Sequence, residues 1–242
     1  MSSKRNTIEI NLSDGPHAVA LARKRIKRIN LRVSATGELS LSAPLYVSTA
    51  EIEAFLENRR CWLEKALERQ RQRAQNAPEP DEIRPGGRIR VCGRFVPILA
   101  VEAKKASAEY SAEGLKIGVY ELSNEAFEAA VDKWRRRAAK NYLAALTAEM
   151  LPRFERYNIP PPSISVKKMK TRWGSCSTKK AHVNYNIKLL SLPPACARYV
   201  VAHELAHFAE ASHGRRFYEI LKEVMPDYKE RERLLKKESC SL

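Results

Sequence analysis

The chain has 242 residues, 44% of them hydrophobic and 30% charged, which is enough for one or two compact domains with a proper core. No uncharged apolar run approaches the roughly 18 residues of a membrane span, and the opening Met1-Ser2-Ser3-Lys4-Arg5 carries no apolar signal core, so no membrane partner is expected. A net charge of +16 implies anionic partners, nucleic acid among them, although a solvated basic surface with no such role is the commoner origin.

The five cysteines are odd in number, scattered, and include no Cys-x-x-Cys pair. That pattern fits reduced thiols and a cytoplasmic protein better than a disulfide framework.

In chain order, residues 6–47 read as strands. Leu31 and Val33, then Leu39 and Leu41, alternate with polar residues on either side of Ala35-Thr36-Gly37, which predicts a hairpin. The cations from Arg23 to Arg28 fall near one sheet edge, where they discourage edge-to-edge pairing or touch phosphate. Ser48 or Thr49 caps a helix with an acidic first turn and a stripe of Ile52, Phe55 or Leu56, Trp62-Leu63 and Leu67. The run Asn76-Ala77-Pro78-Glu79-Pro80-Asp81 breaks that pattern and reads as a linker. Short strands over 88–92, 94–100, 107–111 and 115–119 then predict a small antiparallel patch, turning at Gly93 and Gly114. A long helix is expected from Asn124 to about Tyr157, with Phe127, Val131, Trp134, Ala138, Tyr142 and Leu146 at helical spacing. Its arginines, interleaved with aromatics, could stack on bases, but such a stripe is more often core. Beyond Pro160-Pro161-Pro162, Ile164 and Val166 make one strand, 173–177 another, and 183–187 its hairpin partner. The organisation expected is a β-hairpin and helix region over 1–76, a small β region over 82–122, and a third domain over 123–242. No internal repeat is evident.

The chemistry concentrates in His203-Glu204-Leu205-Ala206-His207, with His213 following after five intervening residues. In a helix, residues four apart leave the same face, so His203 and His207 can grip one ion while Glu204 reaches a water beside it. Val201, Leu205 and Phe208 fall roughly opposite, which lets the other side pack into a core. For His213 to reach the ion the chain must turn near Ala211-Ser212, with Ser212 capping a new helix whose stripe is Phe217, Ile220, Leu221 and Val224. Glu210, three residues after His207, competes as third ligand if the helix persists.

The runs 170–177, 183–186, 189–193 and 199–207, together with His213, Phe217 and 226–228, resemble the YgjP-like metallopeptidases, zincin-type relatives of the SprT and Spartan proteases. The resemblance covers about 163 to 238 in ordered blocks. It implies an α+β zincin-like domain with a small antiparallel sheet beside the His-Glu-x-x-His helix. By it His203, His207 and His213 carry one zinc ion, and Glu204 is the catalytic acid and base. The metzincin spacing is the same, but Glu210 stands where those proteins have glycine.

Around this centre Arg172, Asn184 and Tyr185 are candidates for gripping substrate or stabilising an oxyanion. His182 is a substrate contact or a strand-end surface residue. Cys176 is a conceivable ligand but more often core filler, and Trp173 and Gly174 read as architectural. The activity implied is hydrolysis of a peptide or protein by a metal-activated water with Glu204 as general base. The alternatives are a basic nucleic-acid-associated module with a structural zinc, which would need a fourth ligand from His182 or Cys176, and a protease recruited by DNA.

Overall fold

The computed structural model describes residues 6–34, 36–75, 79–120 and 123–239. It forms two compact units, Met1–Ala77 and Pro78–Cys240. Residues 76–78, the first half of the stretch read as a linker, and the hairpin residue Ala35 lie outside the described residues. Asp81, its last residue, belongs firmly to the second unit: its carboxylate pairs with Arg135 at 2.9 Å and accepts from the Arg90 amide at 2.8 Å.

The first unit is a four-stranded sheet with two helices. Strands β1 (Asn6–Leu12), β2 (Gly15–Lys24), β3 (Asn30–Val33) and β4 (Leu39–Pro44) lie in the order β1-β2-β4-β3. The β3–β4 hairpin has the expected antiparallel register, Leu31 opposite Leu41 and Val33 opposite Leu39. The alternation buries Val19, Leu21, Leu39 and Leu41 on one face, against Ile52, Leu56, Leu63 and Leu67.

The single helix expected here is two, α1 (Thr49–Glu57) and α2 (Arg60–Gln75). They part at Asn58, whose short amide side chain competes with helical backbone bonding. Of the two caps the sequence offers, Ser48 and Thr49, the helix uses the first. Ser48 is the N-cap and makes a complete capping box with Glu51. Trp62 is exposed rather than part of the stripe, since adjacent helical residues point about 100° apart and Leu63 takes the core-facing position.

The second unit opens with β5 (Arg88–Val91), β6 (Arg94–Glu102), β7 (Ser107–Ser111) and β8 (Gly114–Val119), in the order β5-β6-β8-β7. The two hairpins are antiparallel as expected, but they meet through β6 and β8 in parallel, so the patch is mixed. The same order and the same parallel central pair, β2 with β4, occur in the first unit. A ββββ motif is thus repeated in structure where the two sequences show no repeat.

Helix α3 (Asn124–Met150) follows, capped by Ser123 rather than Asn124. It gives way to a 3-10 helix over Leu151–Tyr157 instead of running to Tyr157 as α-helix. Pro152 explains the change, because it lacks an amide hydrogen and its ring clashes with the carbonyl four residues back. Phe127, Val131 and Trp134 are buried with Ile89, Ile98, Leu115 and Ile117, so segments 82–122 and 123–242 share one core. The interleaved arginines are engaged locally: Arg135 with Asp81, Arg136 with Asp132, and Arg137 with the Ala108 carbonyl. The aromatic stripe is therefore core.

A three-stranded sheet of β9 (Ser163–Lys167), β10 (Gly174–Ser177) and β11 (His182–Asn186), in the order β10-β11-β9, completes the frame with helices α4 (Pro194–Ala209), α5 (Arg215–Val224) and α6 (Tyr228–Ser239). The α+β class is what the sequence reading expected. Within this sheet β10–β11 is antiparallel but β9 joins β11 in parallel, where only antiparallel pairs were expected. Alternation of side chains assigns faces, not neighbours, so the parallel partner was not legible.

Helix α4 starts at Pro193-Pro194, residues suited to a first turn because the missing amide hydrogens would be unsatisfied there anyway. Its start is held by the β5–β6 turn: the Cys92 and Gly93 amides donate to the Leu190 and Ser191 carbonyls at 2.7 and 3.1 Å. Gly93, at φ +82°, has its missing Cβ direction 3.1 Å from Pro193, so both conformation and space call for glycine.

Candidate metal centre

Helix α4 is buried on most of its circumference, through Cys196, Ala197, Val200, Val201, Leu205 and Ala206. The expected apolar stripe is present in Val201 and Leu205, fully buried, and Phe208, packed at the edge of the core. A helix apolar nearly all round has its orientation fixed by packing, and His203 and His207 are left facing a cleft of about 630 Å³. The helix ends at Ala209, because Glu210 turns to extended backbone. The chain doubles back over 210–214 and returns His213 to the other two histidines.

One ligand-competent atom from each of His203, His207 and His213 lies within 4.8 Å of the others, the only such group of three among the described residues. The ring centroids are 4.7 to 5.0 Å apart. His213 Nε2 and His203 Nε2 face each other at 3.0 Å. Burial pushes His203 down to about 4, helped by the charges of His207 and His213, and burial likewise lowers His207. Two neutral rings that aim ring nitrogens at one point suit a shared divalent cation. His207 Nδ1 meets the Glu210 carbonyl at 3.3 Å, the backbone contact that fixes a ligand ring and leaves Nε2 for the ion. The donor set therefore fits zinc.

Glu204, one residue on, is only 5% exposed. Burial raises its carboxyl to about 7, partly offset by the positive charge of Arg172. Gly174 of β10 lies directly against it: a Cβ there would stand 2.4 Å from Glu204 Oε1 and 2.6 Å from Cγ. Arg172 and Cys176 line the same cleft. Burial and the Glu204 carboxylate push the Cys176 thiol up to about 12. Cys176 is not in the group whose donor atoms converge, which is His203, His207 and His213 alone among the described residues.

The other residues singled out from sequence fall elsewhere. Tyr185 is fully buried and its hydroxyl lies 3.1 Å from Thr147 Oγ1, so it has no open face for substrate and is a core residue. Asn184 points to the opposite face of the sheet, donating to Ser175 Oγ at 3.3 Å and meeting His182 Nε2 at 3.3 Å. His182 Nδ1 in turn meets Ser163 Oγ at 2.8 Å, so it belongs to a polar ladder across the strands and not to the cleft. Glu210 turns its carboxylate onto Ser212, accepting from its amide at 3.1 Å and its hydroxyl at 2.9 Å. Ser212 is therefore not the cap of α5. That place is taken by Gly214, which offers no side-chain bond.

Three contributors carried no role in the sequence reading beyond helix stripe, resemblance or architecture. Phe217 is fully buried with its ring 4.8 to 5.0 Å from all three imidazoles, forming the floor beneath them. Asn186, also buried, donates to the Met169 and Arg172 carbonyls at 2.9 and 2.8 Å and shapes the turn that carries Arg172 to the cleft. Gly174 is the third. The signals in the sequence were the spacing of Phe217 four residues after His213 and the glycine at 174, which marks a close backbone approach.

Among the described residues no helix is long and apolar enough to cross a membrane. No curated protein matches the chain. Two crystal structures of metallopeptidase zymogens are similar to it. Abylysin of Pyrococcus abyssi has 21% identity over 39% of this chain and 93% of its own, with a TM-score of 0.36. Jannalysin of Methanocaldococcus jannaschii has 22% identity over 40% and 96%, with a TM-score of 0.35. The model of the YgjP-like metallopeptidase domain matches residues 27–238, and the chain belongs to that family: a metal-dependent hydrolase of peptide or protein substrates.

Proposed function

We propose that the protein is a zinc metallopeptidase in which His203, His207 and His213 hold a single zinc ion and Glu204 is the general base. The observation that carries this is the convergence of three histidine donor atoms within 4.8 Å beside a buried glutamate in an open cleft. When bound, the zinc supplies a Lewis acid for the scissile carbonyl and lowers the pKa of its water to about 7. Glu204 accepts the proton of the attacking water on a carboxylate oxygen and delivers it to the leaving nitrogen. Its buried place in the cleft wall, one residue from His203, puts the carboxylate within reach of a water at the metal centre. Arg172, at the cleft wall, orients the substrate chain or shares the oxyanion charge.

Among the described residues strand β10 has a single strand neighbour, β11, and its Gly174 lies against Glu204. An extended peptide added along its open side would pass the metal centre. Among the described residues Cys61, Cys92, Cys176 and Cys196 are free thiols, which supports a reducing compartment such as the cytoplasm. The test is metal analysis alongside cleavage of an unfolded protein. Wild type and Glu204→Gln should both hold zinc, with turnover only in the wild type. Cleavage retained by zinc-loaded Glu204→Gln overturns the role given to Glu204.

A further inference from the structure

In the first unit, β2 and β4 run parallel with Lys24 opposite Pro44, so the loops that follow them leave the same end of the sheet. The first loop brings Arg25, Lys27 and Arg28 next to Lys24, all four exposed. No acidic residue occurs between Asp14 and Glu38. The second loop brings Leu45 and Tyr46, which are 59% and 78% exposed. The loops are tied together: Tyr46 Oη donates to the Lys27 carbonyl at 3.4 Å, and an Arg23 guanidinium nitrogen donates to the Val47 carbonyl. The first carboxylate after Tyr46, Glu51, is folded back on the amide and hydroxyl of Ser48, both at 2.7 Å.

An aromatic ring held open beside cations with no ion-pair partner among the described residues is chemistry for an anion that carries flat rings. We propose that this end of the sheet binds single-stranded nucleic acid, with Lys24, Arg25, Lys27 and Arg28 on phosphates and Tyr46 stacked on a base. The adjoining sheet face supports a polynucleotide over a bilayer. It is concave, about 400 Å³, and half of its lining is cationic or polar (Lys24, Asn30, Arg32, Ser40 and Ser42), the other half being alanine, leucine and isoleucine. Small polar side chains flanked by cations suit a tracked phosphodiester backbone, whereas a membrane surface calls for a projecting apolar face. This surface lies outside the metal centre, and its test does not depend on peptidase activity.

The experiment titrates the full chain against a fluorescent oligothymidylate of about 20 nucleotides at several salt concentrations, comparing wild type, Lys27→Ala with Arg28→Ala, and Tyr46→Ala. The charge variant should bind about tenfold more weakly, with its salt slope reduced by about 1.4, the share of two phosphate contacts. Tyr46→Ala should lose about fivefold or more with an unchanged slope. All three side chains are exposed, and melting curves should match. Arg25→Ala with Arg28→Ala provides a second removal of charge if they do not. The proposal is overturned if the variants bind like the wild type, or if Tyr46→Ala alone has no effect. It is also overturned if duplex DNA binds as tightly through the same residues, or if phosphatidylserine vesicles capture the protein through them while the oligonucleotide does not.

Discussion

Gly174 and Glu204 are packed against each other so closely that a methyl group at position 174 would lie 2.4 Å from a carboxylate oxygen and 2.7 Å from Cδ. The glutamate is buried and the glycine sits on a strand paired to β11, so the carboxylate is the part that would have to move. Gly174→Ala should therefore lower kcat by about 100-fold, the effect expected of an ångström-scale displacement of a reacting group. Zinc content should stay at the wild-type level, because the three atoms nearest a Cβ at position 174 all belong to Glu204. Parallel metal and turnover measurements check this, and loss of zinc would show that the contact serves the metal centre as a whole.

The return of the chain at 210–214 sets the ranking of two neighbouring residues. His213→Ala should weaken zinc binding by more than about 100-fold, beyond what loss of an outer contact costs. Glu210→Ala should cost less than about tenfold, because its backbone carbonyl, the group that meets His207 Nδ1, is retained. A zinc titration in competition with a chromogenic chelator measures both. The opposite order would move the third ligand to Glu210.

The buried pair Thr147 and Tyr185 separates structure from catalysis. Thr147 Oγ1 donates to the Leu143 carbonyl at 2.7 Å, so it accepts from the Tyr185 hydroxyl. Tyr185→Phe leaves Thr147 with its carbonyl partner and should cost about 1 kcal/mol. Thr147→Val strands the tyrosine hydroxyl in the core and should cost more, about 1–3 kcal/mol. Denaturant melts give the two values, and turnover of zinc-loaded Tyr185→Phe should stay near wild type. A large loss of turnover without loss of stability would restore Tyr185 to the substrate path.

Asn186 offers a parallel case nearer the cleft. Asn186→Ala removes the two donors that hold the Met169 and Arg172 carbonyls and should destabilise the fold by about 1–3 kcal/mol. The freed turn should raise KM more than it lowers kcat, since Arg172 is displaced while Glu204 is not. Steady-state kinetics on a peptide substrate distinguish the two parameters.

How much of this could be read beforehand depends on the range of the interaction. The capping box at Ser48, the hairpins around Gly93 and Gly114, and the paired faces of His203 and His207 rest on residues a few positions apart, and sequence spacing expresses them directly. The parallel pairs β2–β4, β6–β8 and β9–β11 do not, because alternation places side chains on faces without choosing which strand lies alongside. The burial of Tyr185 was hidden for a related reason. A polar tip on a strand looks available until its partner, Thr147, 38 residues earlier, is brought beside it by α3. Gly174 was legible as a close approach, but its neighbour Glu204 comes from the packing of β10 on α4.

The most direct test of the metal centre is X-ray absorption at the zinc edge of the purified protein. The predicted spectrum has three histidine nitrogens at about 2.0–2.1 Å and one further oxygen from solvent. A sulfur shell at about 2.3 Å, or a fourth protein nitrogen in place of the solvent oxygen, would contradict it.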